Sequence, residues 1–184
     1  VRPPLVLLRW GLAALGTLAL AWLSLTGNGW VPFLSGVDLG VHEFGHLLFS
    51  WAPRLGVALA GSAVQLAAPA GLAAYFWWRR DRLATMLMVA WLGMSLNNVA
   101  VYIADAPRMQ LPLFGDDGSG AGHDWRAILG ELGWLEHADA LAGLVRAGSV
   151  LAFLAALGLA GWFAWQDLGW RRQASYRGLP LRRR

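Results

Sequence analysis

The chain has 184 residues, of which 57% are hydrophobic and only 14% charged. A charged share so far below the roughly 25% of soluble domains leaves too little polar surface to wrap a water-soluble fold, and the sequence reads as an all-α polytopic membrane protein of one domain, residues 1–184. The net charge of +4 lies in short arginine clusters beside apolar stretches, the pattern of membrane flanks rather than of a nucleic-acid surface, and the lack of cysteine excludes disulfides and thiolate metal ligands.

The first apolar span covers residues 5–25. It is too long, and too poor in a small-residue cleavage pattern, for a removed signal peptide. The polar break "TGNGWVPF" follows. Residues 37–51 then predict a short helix that carries "HEFGH" and stops before Pro53, which disfavours helix at the residue preceding it. Residues 54–78 are again apolar, and "RRDR" at 79–82 is a charged hinge. A further span covers 83–104. Residues 105–138 form the one long polar section, expected outside the membrane; its second half, 123–137, places Trp125, Ile128, Leu129, Leu132 and Leu135 on one face of an amphipathic helix. A last span at 140–165 leads into a basic tail, 168–184, expected in the cytoplasm. The count is four to five transmembrane helices. Tryptophans near the span ends (Trp10, Trp30, Trp51, Trp77, Trp78, Trp165, Trp170) fit interfacial belts. The basic residues are all arginine, which with abundant Ala, Gly and Leu suggests a bacterial source.

Five full crossings would place the two ends on opposite sides of the membrane. Arg2, Arg9, Arg79, Arg80, Arg82 and the tail all favour the cytoplasm. The expectation is therefore that one segment re-enters: the motif helix descends about 22 Å at 1.5 Å per residue, and residues 54–63, "RLGVALAGSA", climb back as extended chain before the next span. Both termini then lie inside, at a bacterial cytoplasmic membrane, and the polar section lies outside with His42 on its side.

Positions i and i+4 share a helix face, so His42 and His46 can offer two imidazoles to one Zn2+ ion. Glu43 is placed to act as general base toward a metal-activated water. Gly45 removes a side chain beside the metal, where substrate backbone could approach. An unpaired glutamate at membrane depth costs about 3 kcal/mol or more, which makes a functional role the default. A catalytic zinc commonly takes three protein ligands and keeps one open position. Candidates for the third are Asp105, Asp116, Asp117, His123, Asp124, His137 and Asp139. His123 and Asp124, at the start of the amphipathic helix, are the best placed, with one of the two as ligand; Asp124 as a plain N-cap is the competing reading. Asp116 and Asp117 lie among glycines and read as solvated loop charges. Asp105 either orients a ligating histidine or pairs with Arg108. Asn97 and Asn98, inside a span, either hold an extended substrate or bond a neighbouring helix. Gln65 has the same two readings and leans structural. Arg146, inside the last span, either snorkels or pairs with an acidic residue of the outer section.

His42, Glu43 and His46 in "HEFGH", on an apolar helix followed by a glycine-rich segment and further spans, resemble the site-2 protease family of intramembrane zinc metalloproteases. The resemblance extends over roughly residues 37–130 and implies cleavage of membrane or membrane-adjacent protein segments within the bilayer. The family takes its third ligand from a Leu-Asp-Gly pattern on a later span; that pattern is absent here, and "FGDDG" and "GHDW" are the nearest substitutes. Nor is there an inserted peptide-binding domain. The alternative is a non-catalytic membrane protein that keeps the fold as a partner-binding scaffold; a lipid-directed metal hydrolase is a weaker third. The sequence leaves the oligomeric state open.

Overall fold

The computed structural model describes residues 3–112 and 122–176. Within them the chain forms six α-helices and no strand: α1 (Pro3–Thr26), α2 (Leu34–Leu48), α3 (Arg54–Trp78), α4 (Arg82–Asp105), α5 (Asp124–Glu131) and α6 (Ala138–Tyr176). A 3-10 turn, Leu135–His137, leads directly into α6. Four helical segments are long and apolar enough to cross a membrane: α1, α3, α4 and Leu135–Gly169. The 15-residue α2 is not among them. Asp116 and Asp117, and the tail beyond residue 176, lie outside the described residues.

Local chemistry accounts for the helix ends. Two prolines lie at the start of α1, where a missing N–H costs nothing. Asn28 and Gly29 then take positive φ and turn the chain after it. The Asp81 side chain accepts from the Ala84 N–H and caps α4. α5 is capped by His123, not Asp124: His123 Nδ1 accepts from the Arg126 N–H at 3.2 Å.

The packing is that of a membrane bundle, in which small residues let backbones approach closely. α4 is the central helix, with α6, α3 and α1 around it. At one end, Trp10, Met86, Ala156, Ala160 and Phe163 form a core cluster. There Asp167 accepts from Trp10 Nε1 at 3.0 Å and pairs with Arg82 at 2.5 Å, tying α1, α4 and α6 together. Halfway along, Gly93 faces the Phe153 ring and Ser149 donates to the Gly93 carbonyl at 2.6 Å. At the far end, Leu129 of α5 is buried with Val99, Ile103 and Ala138.

Three expectations are corrected here. Residues 54–63 are not an extended leg; they are the first turns of the continuous helix α3. The turn after α1 instead takes the chain to mid-bundle, where Val31 packs with Met94 and Phe153. From there α2 runs back toward the α5 end, antiparallel to α3. The motif helix also spans Leu34–Leu48 rather than 37–51, so Phe49 and Trp51 lie past its end. The amphipathic stretch is helical only to Glu131, after which Gly133 at φ +68 turns the chain, leaving Leu132 51% exposed, off the buried face that Ile128 and Leu129 form.

Candidate metal centre

α2 directs His42 and His46 toward α3. A Cβ placed on Gly45 would lie 2.5 Å from the Ala60 carbonyl oxygen, so only glycine lets the two helices meet there. That contact corrects the expectation for Gly45: the space beside it is filled by the α3 backbone and is closed to a substrate.

Each histidine is oriented through Nδ1. His42 Nδ1 donates to Gln65 Oε1 at 3.0 Å, and His46 Nδ1 donates to the Val57 carbonyl at 2.9 Å. In each ring Nε2 is thereby left as the lone-pair nitrogen. Both Nε2 atoms face one carboxylate oxygen, Asp124 Oδ2, at 3.0 Å and 3.1 Å. A tetrahedral zinc with bonds near 2.0–2.1 Å separates its ligand atoms by roughly 3.3 Å, so the two nitrogen–oxygen separations lie within a few tenths of an ångström of what an ion would set. The three ligand atoms all lie within 4.8 Å of one another.

Gly61 supplies the space in front of them. A Cβ there would sit 2.5 Å from His42 Nε2 and 2.6 Å from His46 Nε2, inside the volume that an ion bonded to both would occupy. Residue chemistry and cradle both fit a zinc ion.

Asp124 arrives on the first turn of α5, which is pinned from two sides. Trp125 Nε1 donates to Ser62 Oγ of α3 at 3.0 Å. The Asp124 N–H donates to the Tyr102 hydroxyl of α4 at 2.9 Å, and that hydroxyl lies 3.4 Å from Asp124 Oδ2. Beside Asp124 a cavity of about 300 Å³ opens between Arg54, Ala58, Gly122 and Ala127.

The remaining candidates separate clearly. His123 turns away from the centre. It is 1% exposed, stacks on Tyr102 with ring centroids 4.4 Å apart, and lies 3.4 Å from Asp105 without hydrogen-bond alignment. Burial lowers its pKa, against the opposing pull of Asp105. It therefore caps and packs α5 and does not join the two α2 histidines. Asp105 does not orient a ligating histidine, nor does it pair with Arg108; its carboxylate accepts from the N–H groups of Gln110 and Leu111 at 2.9–3.0 Å. Arg108 pairs with Asp139, and His137 is solvent-exposed beside Glu136. Asn97 donates to the Ser24 carbonyl at 2.8 Å and ties α4 to α1. Asn98 instead reaches the centre indirectly, accepting from Gln65 Nε2 at 3.1 Å. Arg146 is exposed on α6.

Sequence reasoning does not single out Asp38, Tyr102 or Gly61, and it gives Gln65 too little weight. Asp38 has one available signal: it stands four residues before His42, on the same face of an apolar helix. No family model, curated protein or solved structure matches this chain.

Proposed function

We propose that the protein is a zinc-dependent endopeptidase of the membrane, acting on membrane or membrane-adjacent segments of other proteins. The observation that carries this reading is the convergence of His42 Nε2, His46 Nε2 and Asp124 Oδ2 on the space that Gly61 leaves open. The donor set is two imidazoles and one carboxylate, and among the described residues no further histidine, aspartate or glutamate joins the group. Three ligands and an open position favour catalysis over a closed structural site, and so favour the peptidase over the scaffold reading. Bound there, zinc supplies a Lewis acid and lowers the pKa of water toward neutrality.

The protein's own groups do the rest. Gln65 and the Val57 carbonyl keep both Nε2 atoms facing the ion. Glu43, next in sequence to His42 and half-buried, makes no hydrogen bond among the described residues and takes the proton from the attacking water. Tyr102 holds the Asp124 backbone and carries a hydroxyl into the same space. The apolar outer face of α2, with Phe44 55% and Leu47 70% exposed, meets lipid, so substrate approaches from within the bilayer. In this reading the protein is integral to a bacterial cytoplasmic membrane. The Trp10–Arg82–Asp167 end lies at the cytoplasm with both termini, and α2 occupies the outer half as a re-entrant arm.

The test is elemental analysis of the detergent-purified chain together with cleavage of a membrane-segment substrate. Near-stoichiometric zinc is expected in wild type, Glu43→Gln and His123→Ala, and loss of zinc in His46→Ala and Asp124→Ala. Cleavage should disappear in Glu43→Gln while zinc remains. Turnover retained in that variant would defeat the mechanism.

A further inference from the structure

Asp38 is fully buried, at 0% exposure, one helical turn before His42. Its Oδ1 accepts from Trp91 Nε1 at 2.7 Å and from Ser95 Oγ at 3.0 Å, and its Oδ2 accepts from Gln65 Nε2 at 3.4 Å. Gln65 passes the interaction on through its other end, where Oε1 accepts from His42 Nδ1. Four groups in this chain of bonds can reverse their hydrogen-bond polarity: the His42 imidazole by changing tautomer, the Ser95 hydroxyl by turning its O–H, and the Gln65 and Asn98 carboxamides by rotating. The Asp38 carboxyl faces three donors, from Trp91, Ser95 and Gln65, and so serves all of them as an acceptor. The Trp91 indole cannot reverse, because it only donates. Asp38 and Trp91 are therefore fixed points that set the direction of the bonds running through Gln65 to His42, supported through Asn98 by the long 3.5 Å bond of its Nδ2 to the Gly29 carbonyl.

We propose that Asp38 is a positioning residue that, through the Gln65 carboxamide, holds His42 in the Nδ1–H tautomer and so keeps its Nε2 lone pair free for the ion. The consequence for zinc rests on the metal centre proposed above; the consequence for the tautomer does not.

Asp38→Asn is the discriminating change because it alters polarity at nearly constant shape. Trp91 still needs an acceptor, so the new carboxamide keeps its oxygen there and turns its NH2 toward Gln65. Two NH2 groups then face each other, and Gln65 must rotate. Its NH2 now faces His42 Nδ1, which can accept only if the ring proton moves to Nε2, the atom that faces the ion. Losing such an outer partner of a metal ligand typically costs 10- to 100-fold in affinity. The double variant Asp38→Asn/Gln65→Glu reinstates the original direction. The introduced amide donates to the introduced carboxylate, whose other oxygen accepts from His42 Nδ1, and Asn98 rotates to donate.

The experiment uses the full chain in detergent. Zinc affinity is measured by chelator competition. The His42 tautomer is read from histidine 15N chemical shifts, each variant being made in a metal-free Asp124→Ala background that removes the carboxylate 3.0 Å from His42 Nε2, at alkaline pH, where the ring is neutral. Asp38→Asn is expected to lose about 10- to 100-fold in zinc affinity and to shift His42 to the Nε2–H form. The double variant is expected to return affinity to within a few-fold of wild type, together with the Nδ1–H signal. Gln65→Met, which leaves Asp38 its bonds to Trp91 and Ser95, should give both tautomers. An Asp38→Asn protein with the Nδ1–H signal unchanged overturns the inference, whatever its zinc affinity. So does a Gln65→Met protein with a single Nδ1–H form. A tautomer switch in Asp38→Asn, when the wild type binds no zinc, sustains the positioning role and refutes only the metal reading.

Discussion

Gly61→Ala separates a metal cradle from ordinary helix packing. The added Cβ would lie 2.5 Å from His42 Nε2, 2.6 Å from His46 Nε2 and 2.7 Å from His42 Cε1. Nitrogen and carbon in van der Waals contact sit roughly 3.5 Å apart, so both rings must withdraw by about an ångström. Withdrawal breaks the Nδ1 bonds to Gln65 and Val57, at a net cost of about 1 kcal/mol each. It is offset in part by about 1 kcal/mol gained on replacing glycine by alanine inside a helix. The metal-free protein should therefore lose only about 1–2 kcal/mol and remain folded. Zinc affinity has no such offset, because the methyl occupies the ion's own place. Loss of more than about 100-fold is expected, or about 2.8 kcal/mol at 1.4 kcal/mol per decade. Gly71→Ala is the matched control: it lies in the same helix, and its Cβ would meet nothing within 4 Å. The assay is chelator competition alongside thermal unfolding with and without zinc. A Gly61→Ala protein that binds zinc as wild type does, with the same zinc-dependent rise in midpoint, would falsify the placement of the ion.

Three other outcomes follow from the same geometry. Trp125→Ala removes the bond to Ser62 and loosens α5, so zinc affinity should fall by about tenfold or more in chelator competition although no ligand is touched; Trp125→Phe should not restore it, because the indole N–H is still missing. Gly45→Ala pushes the Ala60 carbonyl from 2.5 Å and should cost about 1–3 kcal/mol in unfolding experiments, in metal-free and zinc-loaded protein alike. Asp139→Asn breaks a solvent-exposed pair with Arg108 and should leave both zinc content and thermal midpoint where they were.

Much of this arrangement is written in local spacing. "HEFGH" places two imidazoles on one helix face whatever surrounds them, and the four long apolar helices declare themselves by length and composition. For the third ligand, sequence narrows the field to His123 or Asp124 without choosing between them. Neighbours on a helix point in directions about 100° apart, and only the docking of α5 on Tyr102 and Ser62 decides which one faces the two histidines. Residues 54–63 are helical rather than extended for a physical reason. Gly, Ala and Ser suit an irregular backbone, but in a membrane bundle they mark close helix contact, as Gly45 and Gly61 do here. Gln65 and Asp38 give only weak signals, because a buried polar residue reveals its partner only when the fold brings that partner from a distant helix. Trp91 lies 53 residues from Asp38 in the chain.

Asp124 stands 82 residues beyond His42. During synthesis the chain therefore carries its paired histidines through the insertion of α2, α3 and α4 before the residue that closes the centre has been made. If the centre holds zinc as proposed above, the two imidazoles can until then share the ion only loosely, and Glu43 has no activated water beside it. On the peptidase reading proposed above, the enzyme is thus chemically silent among its neighbours while it is being built, and becomes competent only once its fifth helix has been delivered to the far side and has docked.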